Sequence, residues 1–392
     1  MIKRIIFFLS QTLSQRNYDR LGFDILKSNG FEVSVLDFTP YLYPDLYKWE
    51  IANERQVEFE EIFLIHDLET AIDKILHISN ETFIIALLPY SIKIISIYRA
   101  LSETNAKFAV FVSNALPRLS KSGNLMLYGQ RLLNEFIFHP KEFWLKVENK
   151  LKNYKLKYSM SKIKGATLLL AGGSASVNYC NYPIDEHTEI LWLHQLDYDL
   201  YLKEIVLPYE PADKAVLLDA CLFQHSDDLV LNIKQKGNQT DYYSNLNKFF
   251  DLVERDLGLK VEIAAHPRST YNSNPFGNRP MKKFETAHAV RESKLVIADA
   301  STSINYAVLF NKPVILMVSK EMHDSAINSV YAFAYWLGKD VINIDNIETI
   351  DWKNELKINQ ERYEKYKNSY IKTAKSPILP FWQIVADRLR EI

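Results

Sequence analysis

Short, continuously apolar runs recur along the chain, each followed by a stretch with helical spacing, and this alternation restricts the fold more than any other feature. Residues 5–9, 31–38, 83–88, 108–112 and 166–171 are such runs in the first half; 215–218, 261–265, 295–298 and 313–318 are their counterparts in the second. A strand without alternating polar residues is buried on both faces, as in the parallel sheets of α/β proteins. The intervening stretches fit that layout. Leu21, Phe23, Ile25 and Leu26 precede Gly30, and Leu246, Phe249, Phe250, Val253 and Leu257 follow a capping Thr240 and end at Gly258. A charged helical stretch spans 140–157, others span 304–309 and 360–373, and a last helix begins near Phe381 beyond Pro377 and Pro380.

A length of 392 residues predicts two domains. Pro208 and Pro211 break the pattern, so the expected units are 1–207 and 208–375, both Rossmann-like and facing a cleft. Residues 376–392 then form a C-terminal helix that crosses back onto the first domain.

Composition narrows the function classes. With 47% hydrophobic and 24% charged residues, each half can bury an ordinary core. Lys and Arg number 47 against 48 Asp and Glu, which offers no basic excess for nucleic acid, and the lysine-rich run 150–157 reads as a solvated helix face. Cys180 and Cys221 have no CxxC spacing, so neither a disulfide framework nor a zinc site is expected, and a reducing compartment fits. The apolar start is followed by polar residues 11–20 and reads as a core strand, not a signal peptide. The stretch 83–98 is interrupted by Pro89 and Lys93 and is shorter than the ~20 residues of a membrane span. The expected location is the cytoplasm, with peripheral association at the inner face of the cytoplasmic membrane left open.

Ligands of open parallel sheets gather at the carboxyl ends of strands. Asp219, His266 and Ser301 each fall at such an end. His266-Pro267-Arg268 offers an imidazole and a guanidinium within one turn, a pairing suited to phosphate. Ser301-Thr302-Ser303 lies between a strand and a helix, where hydroxyls and backbone amides serve an anion or cap the helix. Between the two motifs, Arg279 and Thr286 are candidate donor-binding residues, and the loop 271–277 is long enough to cover a base or sugar. Gly172-Gly173-Ser174 after the strand 166–171 suits either a ligand loop or a tight turn. For a catalytic group, Asp219 leads and Asp199 follows, with Asp197, Asp227, Asp228, His194 and His225 as further candidates. No metal site is expected, and no Walker, dinucleotide-fingerprint or nucleophile-elbow motif is present.

The His-Pro dipeptide, followed about 35 residues later by a Ser/Thr pair before a helix, resembles the bacterial sialyltransferase-like glycosyltransferases and the related Kdo and nonulosonate transferases of capsule and lipopolysaccharide assembly. The stretch 214–319 also resembles proteins of surface-polysaccharide clusters, through residues 264–269 and 301–307, and the resemblance covers the second half well and the first half in general layout. That resemblance implies a GT-B fold, an acceptor-binding first domain, a nucleotide-sugar-binding second domain and a CMP-activated donor, with no cofactor and no required metal. It implies that His266 and Ser301-Thr302-Ser303 hold the donor phosphate. The expected activity is transfer of a pseudaminic, sialic, legionaminic or Kdo-type sugar to a surface polysaccharide or lipid-linked glycan. The alternatives are a CDP-polyol phosphotransferase, a UDP-sugar transferase or epimerase, and a non-catalytic nucleotide-binding scaffold. One departure stands out: the acidic pair followed by glycine, whose carboxylate is the family's base, is absent.

Overall fold

The apolar runs form the centres of two all-parallel sheets in the computed structural model, which describes residues 2–118, 140–223, 237–347 and 349–392. The first sheet holds β1 (Arg4–Leu9), β2 (Glu32–Asp37), β3 (Ile62–Leu64), β4 (Thr82–Ala86), β5 (Lys107–Phe111), β6 (Leu168–Ala171) and β7 (Glu189–Trp192), in the order β3-β2-β1-β4-β5-β6-β7. The second holds β8 (Lys214–Leu218), β9 (Lys260–Ala265), β10 (Met281–Lys283), β11 (Leu295–Ala298), β12 (Val314–Val318) and β13 (Val341–Asn343), in the order β10-β9-β8-β11-β12-β13. In each sheet the strand order reverses once, at β1/β4 and at β8/β11. A crevice opens at such a point because the flanking connections leave in opposite directions. The fold is thus two Rossmann-like domains, as the alternation of apolar runs and helices requires.

Register follows from burial. Phe7 on β1 aligns with Val35 and Ile85 on its neighbours, and all three are fully buried. Cores lie on both faces of the first sheet and around the second. The edge strands β3, β7, β10 and β13 are three or four residues long and partly exposed, with Phe63, Leu64 and Ile190 open to solvent. β10 and β13 carry no continuous apolar run, and those of β3 and β7, residues 62–65 and 190–193, are only four residues long and half-wet, so they do not stand out as core strands.

Two helix boundaries differ in detail from expectation. The Gln239–Leu257 helix is capped by Asn238, whose Oδ1 accepts from the Thr240 and Asp241 amides at 2.9 and 3.3 Å, and Thr240 lies inside it. Gly258 closes it at φ +66°. The helical stretch from Gln360 is regular to Tyr366, then widens to a π turn over Lys367–Ile371. The helix Asp197–Glu204, on the first-domain side of the expected boundary at 207/208, packs on the helices Thr286–Glu292 and Ile304–Leu309 of the second domain.

The tail crosses back. Phe381–Glu391 is a helix on the first sheet, where Trp382 is 1% exposed, sits edge-on to Phe7 at 5.2 Å and donates from Nε1 to the Arg20 carbonyl at 2.9 Å. Two residues hold its start. Asp199 accepts from the Phe381 amide at 2.9 Å, and His194, fully buried, places Nε2 2.9 Å from the Leu379 carbonyl and Nδ1 2.9 Å from the Gln195 carbonyl.

Candidate nucleotide site between the domains

The loops that leave β8, β9 and β11 build a shelf at the crevice of the second sheet. β8 ends at Leu218 and delivers Asp219; β9 ends at Ala265 and delivers His266; β11 ends at Ala298 and delivers Asp299 and the Ser301-Thr302-Ser303 turn. β8 lies between β9 and β11, so the two motifs stand on strands that are not neighbours. With strands ~4.8 Å apart, they stand about 10 Å apart across the end of β8.

Asp219 is the bracket of this shelf. It is 7% exposed, and its carboxylate accepts from the Cys221 amide at 2.8 Å, the His266 amide at 3.1 Å and the Tyr271 hydroxyl at 3.0 Å. A carboxylate with its lone pairs so engaged sets the position of the His266 loop and is poorly placed to take a proton from an acceptor. Asp199, the second candidate base, is committed to the start of the tail helix, and burial raises its carboxyl's affinity for a proton. His194 is likewise enclosed, and Asp197 lies 3.8 Å from Arg20. Asp227, Asp228 and His225 lie outside the described residues.

His266 is partly exposed. Its Nδ1 accepts from the Arg268 amide at 3.2 Å, so the neutral ring carries its proton on Nε2 and presents a donor. Pro267 holds the turn between them, and the Ser269 amide and hydroxyl both donate to the His266 carbonyl, at 2.9 and 2.8 Å. Ser301 is buried, Thr302 is exposed and Ser303 lies between. Ser303 precedes the Ile304–Leu309 helix without a side-chain capping bond. Asn305, the second residue of that helix, ties this turn to the domain junction: its side-chain amide donates to Gln195 and its Oδ1 accepts from Tyr366 at 3.0 Å.

The structure corrects several expectations. Arg268 faces two acids: Nη2 lies 2.9 Å from Glu50 and Nε 2.6 Å from Glu54, both from the helix Pro44–Asn53 and the residue after it. Its charge is therefore balanced within the protein, by two acids from the first domain. Glu50, fully buried, also accepts from the Thr12 amide at 2.7 Å. Arg279 points to the Gln239–Leu257 helix, bonding Glu254 and Asp251 at 2.7 Å and Asn247 at 3.0 Å. It is a brace on that helix and does not reach the shelf. The loop 271–277 folds down onto the second core through Phe276, 1% exposed, and the Asn247 bond to the Pro275 carbonyl at 2.9 Å. Thr286 opens a helix beside the edge strand β10.

Gly172-Gly173-Ser174 holds the chain's own tail. A Cβ at Gly173 would stand 2.2 Å from the Ser369 carbonyl carbon, and one at Gly172 2.5 Å from the Ser113 oxygen. The Ser174 and Ala175 amides donate to the Asn368 and Ser369 carbonyls at 2.9 and 2.8 Å. The glycines serve chain-to-chain packing.

Two residues emerge that the sequence did not single out. Asp299 is 3% exposed, accepts from the Tyr242 hydroxyl at 3.1 Å, and is pushed up to about 7, by burial first and by the nearby Asp219 charge second. Arg16, on the helix Gln15–Arg20 after β1, is half-buried and makes no ion pair among the described residues. Burial, then the neighbouring Arg20 and Arg268, lowers its guanidinium to about 10. Glu54 and Asp197 pull the other way, and an anionic ligand would add to their stabilisation of this desolvated cation. Among the described residues no group of three His, Cys, Asp or Glu side chains is arranged to hold a metal ion, and no helix is long and apolar enough to cross a membrane.

Two Rossmann-like domains, a cleft between their strand ends and a tail helix that crosses back together define the GT-B-type architecture. Solved structures of similar layout include the UDP-GlcNAc 2-epimerase of Methanocaldococcus jannaschii, at 9% identity and a TM-score of 0.46 over 100% of both chains. Acinetobacter baumannii MurG is similar at 11% identity and a TM-score of 0.46 over 100% of both chains. A variant of the wall teichoic acid polymerase TagF is similar at 11% identity and a TM-score of 0.49, over 99% of this chain and 88% of that one. No protein-family model matches the chain, and no curated protein matches it.

Proposed function

We propose that this chain is a nucleotide-sugar-dependent glycosyltransferase that holds its donor's phosphate between His266 and Ser301-Thr302-Ser303. One observation carries the reading: both motifs flank the point where the strand order of the second sheet reverses, with Asp219 fixing the backbone of one of them. In the reaction the acceptor hydroxyl oxygen attacks the anomeric carbon, the bond from that carbon to the phosphate oxygen breaks, the phosphate leaves with the electron pair, and the acceptor's proton passes to the departing phosphate or to solvent. The Nε2–H of His266 and the hydroxyls of the turn stabilise that developing charge, and Arg16 supplies the cation that Arg268, held by Glu50 and Glu54, does not. Asp219 is a positioning residue. The donor class that the sequence resemblance favours is a CMP-activated nonulosonic acid, and the acceptor a surface or lipid-linked glycan.

Thermal stabilisation by CMP, CDP, UDP, GDP and ADP tests this. A ligand at a hundred times its dissociation constant adds about 2.7 kcal/mol, a clear rise in melting temperature. Selective stabilisation by CMP is expected. A larger shift with UDP or CDP would move the donor to UDP-sugars or CDP-polyols, and stabilisation without turnover of any donor and acceptor pair would favour a scaffold.

A further inference from the structure

We propose that the helix Pro140–Met160 seats the protein on an anionic membrane surface. This helix lies between β5 and β6 in the sequence and carries a stripe of large, exposed residues: Trp144 is 61% exposed, Leu151 60%, Tyr154 77% and Tyr158 60%. At 100° per residue these four positions fall within an arc of about 80°, and they extend over about 21 Å of the helix axis. The opposite face is the one that packs, with Leu156 at 4% and Met160 at 3% exposure in the core of the first domain. The helix is therefore anchored on one side and offers an apolar, aromatic ridge on the other.

Charge decides what covers the ridge. The helix contains six lysines and two glutamates, in a chain whose net charge is -1. Glu148 is engaged by Lys152 at 2.7 Å. Lys150, Lys155 and Lys157 are exposed and flank the stripe. The spacing of the stripe is also that of a helix–helix seam, so a second copy of the chain is the rival occupant. In a self-paired seam, however, those flanking lysines would meet their own counterparts, a like-charge arrangement that disfavours pairing. An anionic lipid surface satisfies both features. Tryptophan and tyrosine rings settle at the headgroup level, leucine enters the acyl boundary, and lysine stems lie along the surface with their ammonium groups at the phosphates.

The test is co-sedimentation of the full chain with vesicles of phosphatidylcholine alone and of phosphatidylcholine with about one-third phosphatidylglycerol. The wild type should partition onto the anionic vesicles, less so as salt is raised. Leu151→Glu with Tyr154→Glu should lower that partition at least tenfold, and so should Lys150→Glu with Lys155→Glu and Lys157→Glu. Both sets lie in solvent, so the melting temperature should hold, and two independent sets guard against loss of folding in either. No partition of the wild type, equal partition onto neutral vesicles, or unchanged partition of both variants would overturn the proposal. So would light scattering that shows a wild-type dimer converted to a monomer by the Leu151 and Tyr154 changes.

Discussion

Asp299 shows how one buried carboxyl can govern the behaviour of the shelf. Its folded-state value of about 7 lies above the ordinary 3.8, so between about pH 4 and pH 7 the folded chain holds a proton that the unfolded chain has released. Stability should fall as pH rises through that window, by a few kcal/mol in all. Asp299→Asn removes the titration. Urea unfolding across pH should show the variant near parity with the wild type at pH 4, gaining on it between pH 4 and pH 7 and holding that lead above; parallel profiles would show that Asp299 does not titrate this way. At the same scale, Arg268→Ala strands Glu50 and Glu54 at the junction and should cost about 3–5 kcal/mol, as for other broken buried pairs. A double-mutant cycle with Glu50→Gln should recover part of that loss, and additive losses would mean the two residues do not interact. Neither role was legible in the sequence. Arg268 and Glu50 are 218 positions apart, and nothing local to His266-Pro267-Arg268 indicates that an acid from the other domain takes the guanidinium. The position of His266 at a strand end was legible, because a continuous apolar run marks where the strand stops.

Among the elements, legibility followed burial. The central strands announced themselves through unbroken apolar runs, while β3, β7, β10 and β13 did not, being short and partly wet. The glycine turn after β6 was visible as a turn, but its partner, the Lys367–Ile371 segment, comes almost two hundred residues later. Gly173→Ala places a methyl against the Ser369 backbone, which cannot move as a side-chain tip would. The expected cost is about 1–3 kcal/mol. Faster amide exchange in residues 368–371, with little change at β11 and β12, would locate it; an unchanged urea midpoint would show that the tail does not bear on that turn.

At the scale of the molecule, the two sheets are joined by polar links that include Arg268 to Glu50 and Glu54 and Gln195 to Asn305 and to the Tyr370 carbonyl, and by the apolar face of the tail helix on the first sheet. The two-domain layout and the returning tail could be read from alternation, length and the prolines near 208 and 377. Which surfaces meet could not, because pairings between distant polar residues leave no periodic trace. These links bring the loops of β1 and the helix Gln15–Arg20 toward the shelf on β8, β9 and β11. Asp219, bonded to the His266 amide and the Tyr271 hydroxyl, lies on that shelf.

The measurement that bears most directly on the phosphate shelf is calorimetric titration of CMP into the wild type, His266→Ala and Arg279→Ala. At least a tenfold loss of affinity is expected in His266→Ala, with the melting temperature of the unliganded protein unchanged. Arg279→Ala should keep wild-type affinity, since that side chain is committed to Glu254 and Asp251. Equal CMP affinity in the wild type and His266→Ala would contradict the placement of the nucleotide phosphate at this shelf.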